Sequence, residues 1–171
     1  MKTMNKFKSF LDFSKEEKWL EEMAEKGWQL KGASLTYKFE SAPSEQVKIR
    51  IDFRDFKSNQ DFNDYKTLFE DSGWKHIVGS KDSGTQYFMK TNPDADDEIF
   101  SDTASRAGRY KRSYERWIML AMCFMPLFVV SVSSNMMGST FLAFLSFGAP
   151  FFIFLIIAIA YHGLYEKEKK K

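Results

Sequence analysis

The side chains of this 171-residue chain that could do chemistry are few: two histidines, one cysteine and one run of acids. His76 lies between Lys75 and Ile77 in a strand-like stretch. A general base needs a partner within hydrogen-bond reach, and no motif supplies one, so a structural histidine is the plainer reading. His162 follows a long apolar run, where an interfacial role outranks a proton relay. Cys123 lies inside another apolar run, so there is no disulfide framework and no cysteine-based metal site. Asp94, Asp96, Asp97 and Glu98 lack the spacing of a calcium loop and read as a solvated linker. Phosphate-binding glycine loops, nucleophile elbows and zinc-protease spacings are all absent. No residue is assigned a catalytic, cofactor-binding or metal-binding role, and the chain is not read as an enzyme.

What dominates instead is the stretch from Trp117 to Tyr165, which contains no Lys, Arg, Asp or Glu. A bilayer core takes roughly 20 helical residues to cross. Two runs meet that length, about 117–135 and 141–161, joined by a turn around Ser133–Ser139. Neither shows the polar face of a soluble amphipathic helix. A transmembrane helical hairpin over 117–165 is therefore expected. Positive charge stops at its ends: Arg106, Arg109, Lys111, Arg112 and Arg116 precede it, and a basic tail, 166–171, follows. Short loops rich in Lys and Arg stay in the cytoplasm, so a multi-pass protein of the cell membrane with both termini cytoplasmic is expected. Those five cations are expected to meet anionic lipid headgroups. Pro126 and Pro150 interrupt the spans, and Ser139, Ala143, Ser146 and Gly148 offer small surfaces for close helix approach.

The charge ledger divides the chain the same way. Residues 1–105 carry 16 Lys and Arg against 20 Asp and Glu, whereas residues 106–171 carry 9 against 3. The net-acidic first part argues against nucleic acid as a partner. It reads as a cytosolic α+β domain over 1–90. Phe7–Phe13 has strand composition, and Ser14 with Glu17 has the spacing of a helix capping box. Trp19, Leu20, Met23 and Ala24 then form an apolar helix face, with Lys15, Glu16, Lys18, Glu21 and Glu22 opposite. Gly27 stops that helix, and Trp28–Leu30 and Leu35–Phe39 read as strands. The order then recurs. Val47–Phe53 alternates, Ser58 or Asp61 caps a helix with Phe62, Tyr65, Leu68 and Phe69 on one face, and Gly73-Trp74 ends it. Trp74–Val78 and Thr85–Met89 follow as strands. Gly27-Trp28 and Gly73-Trp74 lie 46 residues apart. The expected fold is thus a duplicated βαββ unit (about 7–41 and 47–90), ferredoxin-like in type, with one sheet and two helices on one face. An acidic then basic linker and juxtamembrane helix, 91–116, joins it to the hairpin, with Arg109–Arg116 extending the first transmembrane helix into the cytosol.

Glu17-Lys-Trp-Leu-Glu-Glu-Met-Ala-Glu-Lys-Gly-Trp28, Tyr37-Lys-Phe-Glu40, Ile49-Arg-Ile-Asp-Phe53, Phe69-Glu-Asp-Ser-Gly-Trp74 and Glu98-Ile-Phe-Ser-Asp102 together resemble the signature blocks of the uncharacterised bacterial family DUF2812. The resemblance covers about the first two-thirds of the chain. It implies C-terminal membrane spans and an association with PadR-type transcriptional regulators in Gram-positive bacteria. It carries over no activity and no catalytic residue.

The functional expectation is a membrane-anchored cytosolic binding or regulatory module, linked to PadR-type control. Trp28, Trp74 and Tyr37, with the linker residues Glu98, Phe100 and Asp102, are its candidate ligand or partner surface, and a protein partner is expected. The alternative is an accessory subunit of a membrane transporter or envelope complex, with the hairpin as its contact surface.

Overall fold

A computed structural model describes residues 2–91, 103–134 and 139–170. The expected sites at Glu98, Phe100 and Asp102 lie outside these residues. The chain forms two compact units, Met1–Ser101 and Asp102–Lys171.

In the first unit the elements run β1 (Thr3–Lys6), α1 (Phe13–Glu25), β2 (Trp28–Ala33), β3 (Tyr37–Ser41), β4 (Lys48–Phe53), α2 (Asn59–Asp71), β5 (Lys75–Val78) and β6 (Thr85–Lys90). They build two three-stranded antiparallel sheets, ordered β1-β3-β2 and β4-β6-β5. Each half therefore reads strand, helix, strand, strand, with the same permutation.

The single expected sheet is not formed, and the ladders say why. In β2 the register with β3 slips between Leu30 and Gly32, leaving Lys31 as the extra residue. In β5 the register with β6 slips between His76 and Val78, leaving Ile77 as the extra residue. A bulge leaves one residue unpaired and sharpens the local twist. Lys31 and Ile77 lie 46 residues apart, the offset of the Gly-Trp pairs. β2 and β5 neighbour each other, each bent by its bulge, and share no ladder.

The helices also depart from expectation. Along β6, Tyr87 bonds Glu16 of α1, while Phe88 stacks on Phe69 of α2 at 4.3 Å between ring centroids. Successive residues of a strand point to opposite faces, so α1 and α2 meet opposite faces of this sheet rather than one. Phe88, Tyr65 and Trp74 make a buried cluster on the α2 side, with Phe56 and Phe69 packed against it. On the α1 side, Trp19 packs edge-on against Tyr37 (4.9 Å) and Phe39 (5.7 Å).

Local signals explain most boundaries. Gly27 and Gly73 adopt φ of 78° and 79°, the left-handed conformation that lets a helix stop at glycine without a Cβ penalty. Ser58 caps α2 by accepting from the Asp61 amide at 3.1 Å. At α1, however, the cap is Asp12, which accepts from the Ser14 amide at 3.0 Å. No capping box forms at Ser14, because Glu17 is drawn inward. The strand expected at Phe7–Phe13 is displaced to Thr3–Lys6. Phe10 leaves the ladder to pack on Trp19 at 5.4 Å, and Phe13 opens the helix. Leu68, expected on the apolar face of α2, is 64% exposed.

The second unit is an antiparallel helical pair. α3 spans Thr103–Ser133, and the return helix runs from Thr140 to Lys169. Both are long and apolar enough to cross a membrane, and only 11% and 17% of their most apolar windows is buried. As expected, α3 carries the first span's helix through Arg109–Arg116 into the basic flank, and the return helix runs past the expected limit of 161 into the C-terminal charges. Trp117 and Phe124 both pack on Phe154, each at 5.5 Å, and Tyr110 lies near Tyr161. The faces that meet are small: Ala121, Ala143 and Ala158 are at most 1% exposed. A Cβ on Gly148 would lie 2.9 Å from the Phe128 ring. The return helix is interrupted at Phe144–Gly148 by a π-turn, whose Ala149 amide donates to the Phe144 carbonyl. Pro150 follows directly. Proline brings no amide and crowds the carbonyl four residues back, so a wider turn ahead of it relieves the clash.

Candidate functional site

The seam between β2 and β5 is flanked by two cavities. An open cleft of about 540 Å³ is lined by Lys31, Gly32 and Ala33 of β2, Ser34 and Thr36 of its turn, Lys38 of β3, and Val78, Gly79, Ser80, Ser83, Thr85 and Tyr87 of the β5–β6 hairpin. A smaller cavity of about 150 Å³ is lined by residues including Ala24, Leu30, Lys31, Ile49, Lys75 and His76. Lys31, the bulge residue of β2, lines both.

A polar network holds the β5–β6 side of the cleft in place. Gln86, fully buried, donates through Nε2 to the Ser80 carbonyl (2.8 Å) and the Ser83 hydroxyl (3.2 Å). Its Oε1 is then left to accept from His76 Nε2 at 3.0 Å, which fixes the Nε2–H tautomer of a neutral ring. Ser83 Oγ accepts from the Ser80 amide at 2.9 Å and donates back across the turn. Gly79 is required here, because its φ is 127° and a Cβ would stand 2.1 Å from Gln86 Oε1.

Burial pushes the His76 pKa below its ordinary 6.5, against the hydrogen bond it donates to Gln86, with Lys66 pushing the same way as burial and Glu70 opposing. The folded state therefore binds fewer protons than the unfolded one below that value. Stability is whole above about pH 6.5 and is lost as pH falls from there through the folded pKa. The unfolding midpoint of the first unit is expected to drop on acidification below 6.5, and less steeply in His76→Gln. Equal pH slopes for the two proteins, measured by hydrogen exchange of β5 and β6 amides, would remove the histidine from this account.

Behind the cleft, Tyr87 connects to α1. Glu16 is 4% exposed, and its Oε1 accepts from the hydroxyls of Tyr37 at 2.8 Å and Tyr87 at 2.7 Å. A buried carboxylate is tolerable when such donors surround it. Two further acids of α1 reach β4. Glu17 accepts from the Ile51 amide at 2.9 Å, and Glu21 from the Ile49 amide at 3.0 Å. Glu16 and Glu21, placed by periodicity on a solvated face, thus bond inward.

Of the sequence-derived surface residues, Trp74 is 2% exposed in the core, with Lys90 and Arg50 over its ring at 5.5 and 5.9 Å. Tyr37 is 6% exposed and serves Glu16. Trp28 opens β2 opposite Ser41. Neither tryptophan is among the residues lining the two cavities. Lys31, Lys38 and the hairpin hydroxyls were not singled out by sequence. Their common signal is the 46-residue repeat, which relates Lys31 to Ile77.

Among the expected lipid contacts, Lys111 is exposed and pairs with Glu115 at 3.8 Å, one turn on. Arg109 is 3% exposed and lies 5.2 Å from the Tyr110 ring, so its charge faces inward. Arg106, Arg112 and Arg116 are part-buried along the same helix.

No curated protein and no solved structure matches the chain. The family described as Protein of unknown function (DUF2812) matches residues 12–122, from the α1 cap through β2 to β6 into α3, leaving out β1 and the return helix. The chain belongs to the DUF2812 family.

Proposed function

We propose that this chain is a membrane-tethered cytosolic binding module whose ligand site is the β2/β5 seam. The observation that carries the reading is the paired bulge. Bulges at Lys31 and Ile77 keep two neighbouring strands from pairing and leave a polar cleft of about 540 Å³ between their hairpins. A cleft of that size is within the range of small-molecule sites. The two halves are copies of one βαββ unit in this reading, supported by the shared strand order and the common offset of the Gly-Trp pairs and bulges. The helical hairpin is the anchor, with both chain ends on the cytoplasmic side, supported by the cations that bracket it. Output passes to a protein partner, through PadR-type transcriptional control.

The test is small-molecule mass spectrometry on full-length protein extracted from native membranes. A metabolite enriched on the wild type and lost from Ser34→Trp, which fills the cleft from an exposed turn position, is the expected result. Identical extracts from the two proteins would remove the seam as a binding site. Replacing the hairpin by an unrelated two-span anchor separates the accessory-subunit reading: metabolite retention with loss of cellular function would put the specific contact in the hairpin.

A further inference from the structure

We propose that the cleft between the β2–β3 and β5–β6 hairpins takes a small phosphate-class oxyanion on a polar body. This rests on the seam being a binding site and adds the chemistry of what it binds. The charge of the cleft has one sign. Lys31 and Lys38 line it, and among the described residues its lining contains no Asp and no Glu. Lys31 is within 4.0 Å of Glu40, but the two side chains are 48% and 36% exposed, and such a contact holds a lysine only loosely. An incoming anion can take it over at little cost.

Around these cations stand single hydroxyls, those of Ser34, Thr36, Ser80 and Thr85 among them. Among the described residues the lining holds no arginine, so they offer no flat fork to grip a carboxylate in two parallel bonds. Point-charge ammonium groups and scattered hydroxyls suit a tetrahedral oxyanion, whose oxygens diverge. The volume far exceeds one phosphate. The few apolar walls, Ala33, Val78 and the Tyr87 ring, leave the remainder polar, which fits a hydroxyl-bearing body better than a hydrocarbon one. Preorganisation favours binding as well: Gln86 and the Ser80–Ser83 bonds hold one wall before any ligand arrives.

The phosphate could belong to a free metabolite or to a lipid headgroup, and one experiment separates these sources. Inorganic phosphate is titrated into the full chain in nanodiscs of phosphatidylcholine, and hydrogen exchange is followed at Ser34–Thr36 and Ser80–Ser83. Saturable protection is expected with phosphate and not with chloride at equal ionic strength. Lys31→Gln and Lys38→Gln are each expected to weaken it about tenfold. Both lysines are exposed, so the folded state tolerates the changes, and unaltered exchange in α2 confirms it. If discs containing phosphatidylglycerol protect the same segments without added phosphate, the source is the headgroup. Protection that ignores the lysine substitutions, or that chloride reproduces, overturns the proposal. A neutral metabolite displaced by Ser34→Trp would overturn it too, while leaving the seam as a binding site. Nothing displaced by Ser34→Trp would defeat both.

Discussion

Truncating Trp74 to alanine will cost the first unit about 3–5 kcal/mol, a large share of the stability of any domain this size. Trp74 follows the helix-stopping Gly73, is 2% exposed and joins Tyr65 and Phe88 in the cluster under α2. Removing the indole leaves a cavity bounded by Phe88, which the sheet holds in register opposite Arg50. It also strips Arg50 and Lys90 of the ring they lie over, a further loss of about 0.5–1 kcal/mol per cation. Native-state hydrogen exchange on the full-length protein reads the outcome directly. Amides of β4 and β6 should exchange at least a hundredfold faster in Trp74→Ala, and considerably less so in Trp74→Phe. A change below tenfold would mean that this tryptophan is not part of the cooperative core.

Glu16→Ala should be nearly as damaging, for a different reason. The substitution leaves the buried hydroxyls of Tyr37 and Tyr87 facing a vacated acceptor. An unsatisfied buried hydroxyl costs about 1–3 kcal/mol, so the pair should lose about 2–6 kcal/mol together. The distinctive expectation is rescue. Adding Tyr37→Phe and Tyr87→Phe to Glu16→Ala removes the stranded hydroxyls and should recover part of the loss, although each change alone destabilises. This non-additivity is what a shared network produces. Urea titration of the wild type, the three single variants and the triple variant in one detergent is sufficient, and a triple variant no more stable than Glu16→Ala would dismiss the network as an energetic unit.

The sequence was most informative where one residue decides the backbone. Gly27 and Gly73 end helices because few other residues sit at their φ, and Ser58 caps because its neighbours offer free amides. The alternation of β4, Lys48 to Phe53, needed no tertiary information. Less legible were features set by residues far along the chain. Helical periodicity assigns Glu16 to water, and only Tyr37 and Tyr87, 21 and 71 residues away, call it inside. Opposite-face packing of α1 and α2 depends on which way Tyr87 and Phe88 point, and two adjacent aromatics cannot declare that locally. The cleft was hidden for a similar reason. Lys31 and Lys38 read singly as solvated charges, and a bulge at Lys31 becomes visible only once β3 is laid beside it. The apolar helices were legible because their signal is compositional, and so was the helical extension of the first through Arg109–Arg116, which α3 contains; the continuation of the return helix past Tyr161 to Lys169 was not.

The two carboxylates of α1 on β4 have a consequence for crowding. A sheet border with open amides is a template for a second chain. Glu17 and Glu21 occupy the amides of Ile51 and Ile49 along the outer margin of β4. The inner margins, β2 and β5, shield one another. Among the described residues β1 is the remaining border; it is four residues long, preceded by Lys2 and ending in Lys6. Self-association by strand addition is thereby discouraged at almost every border the fold presents.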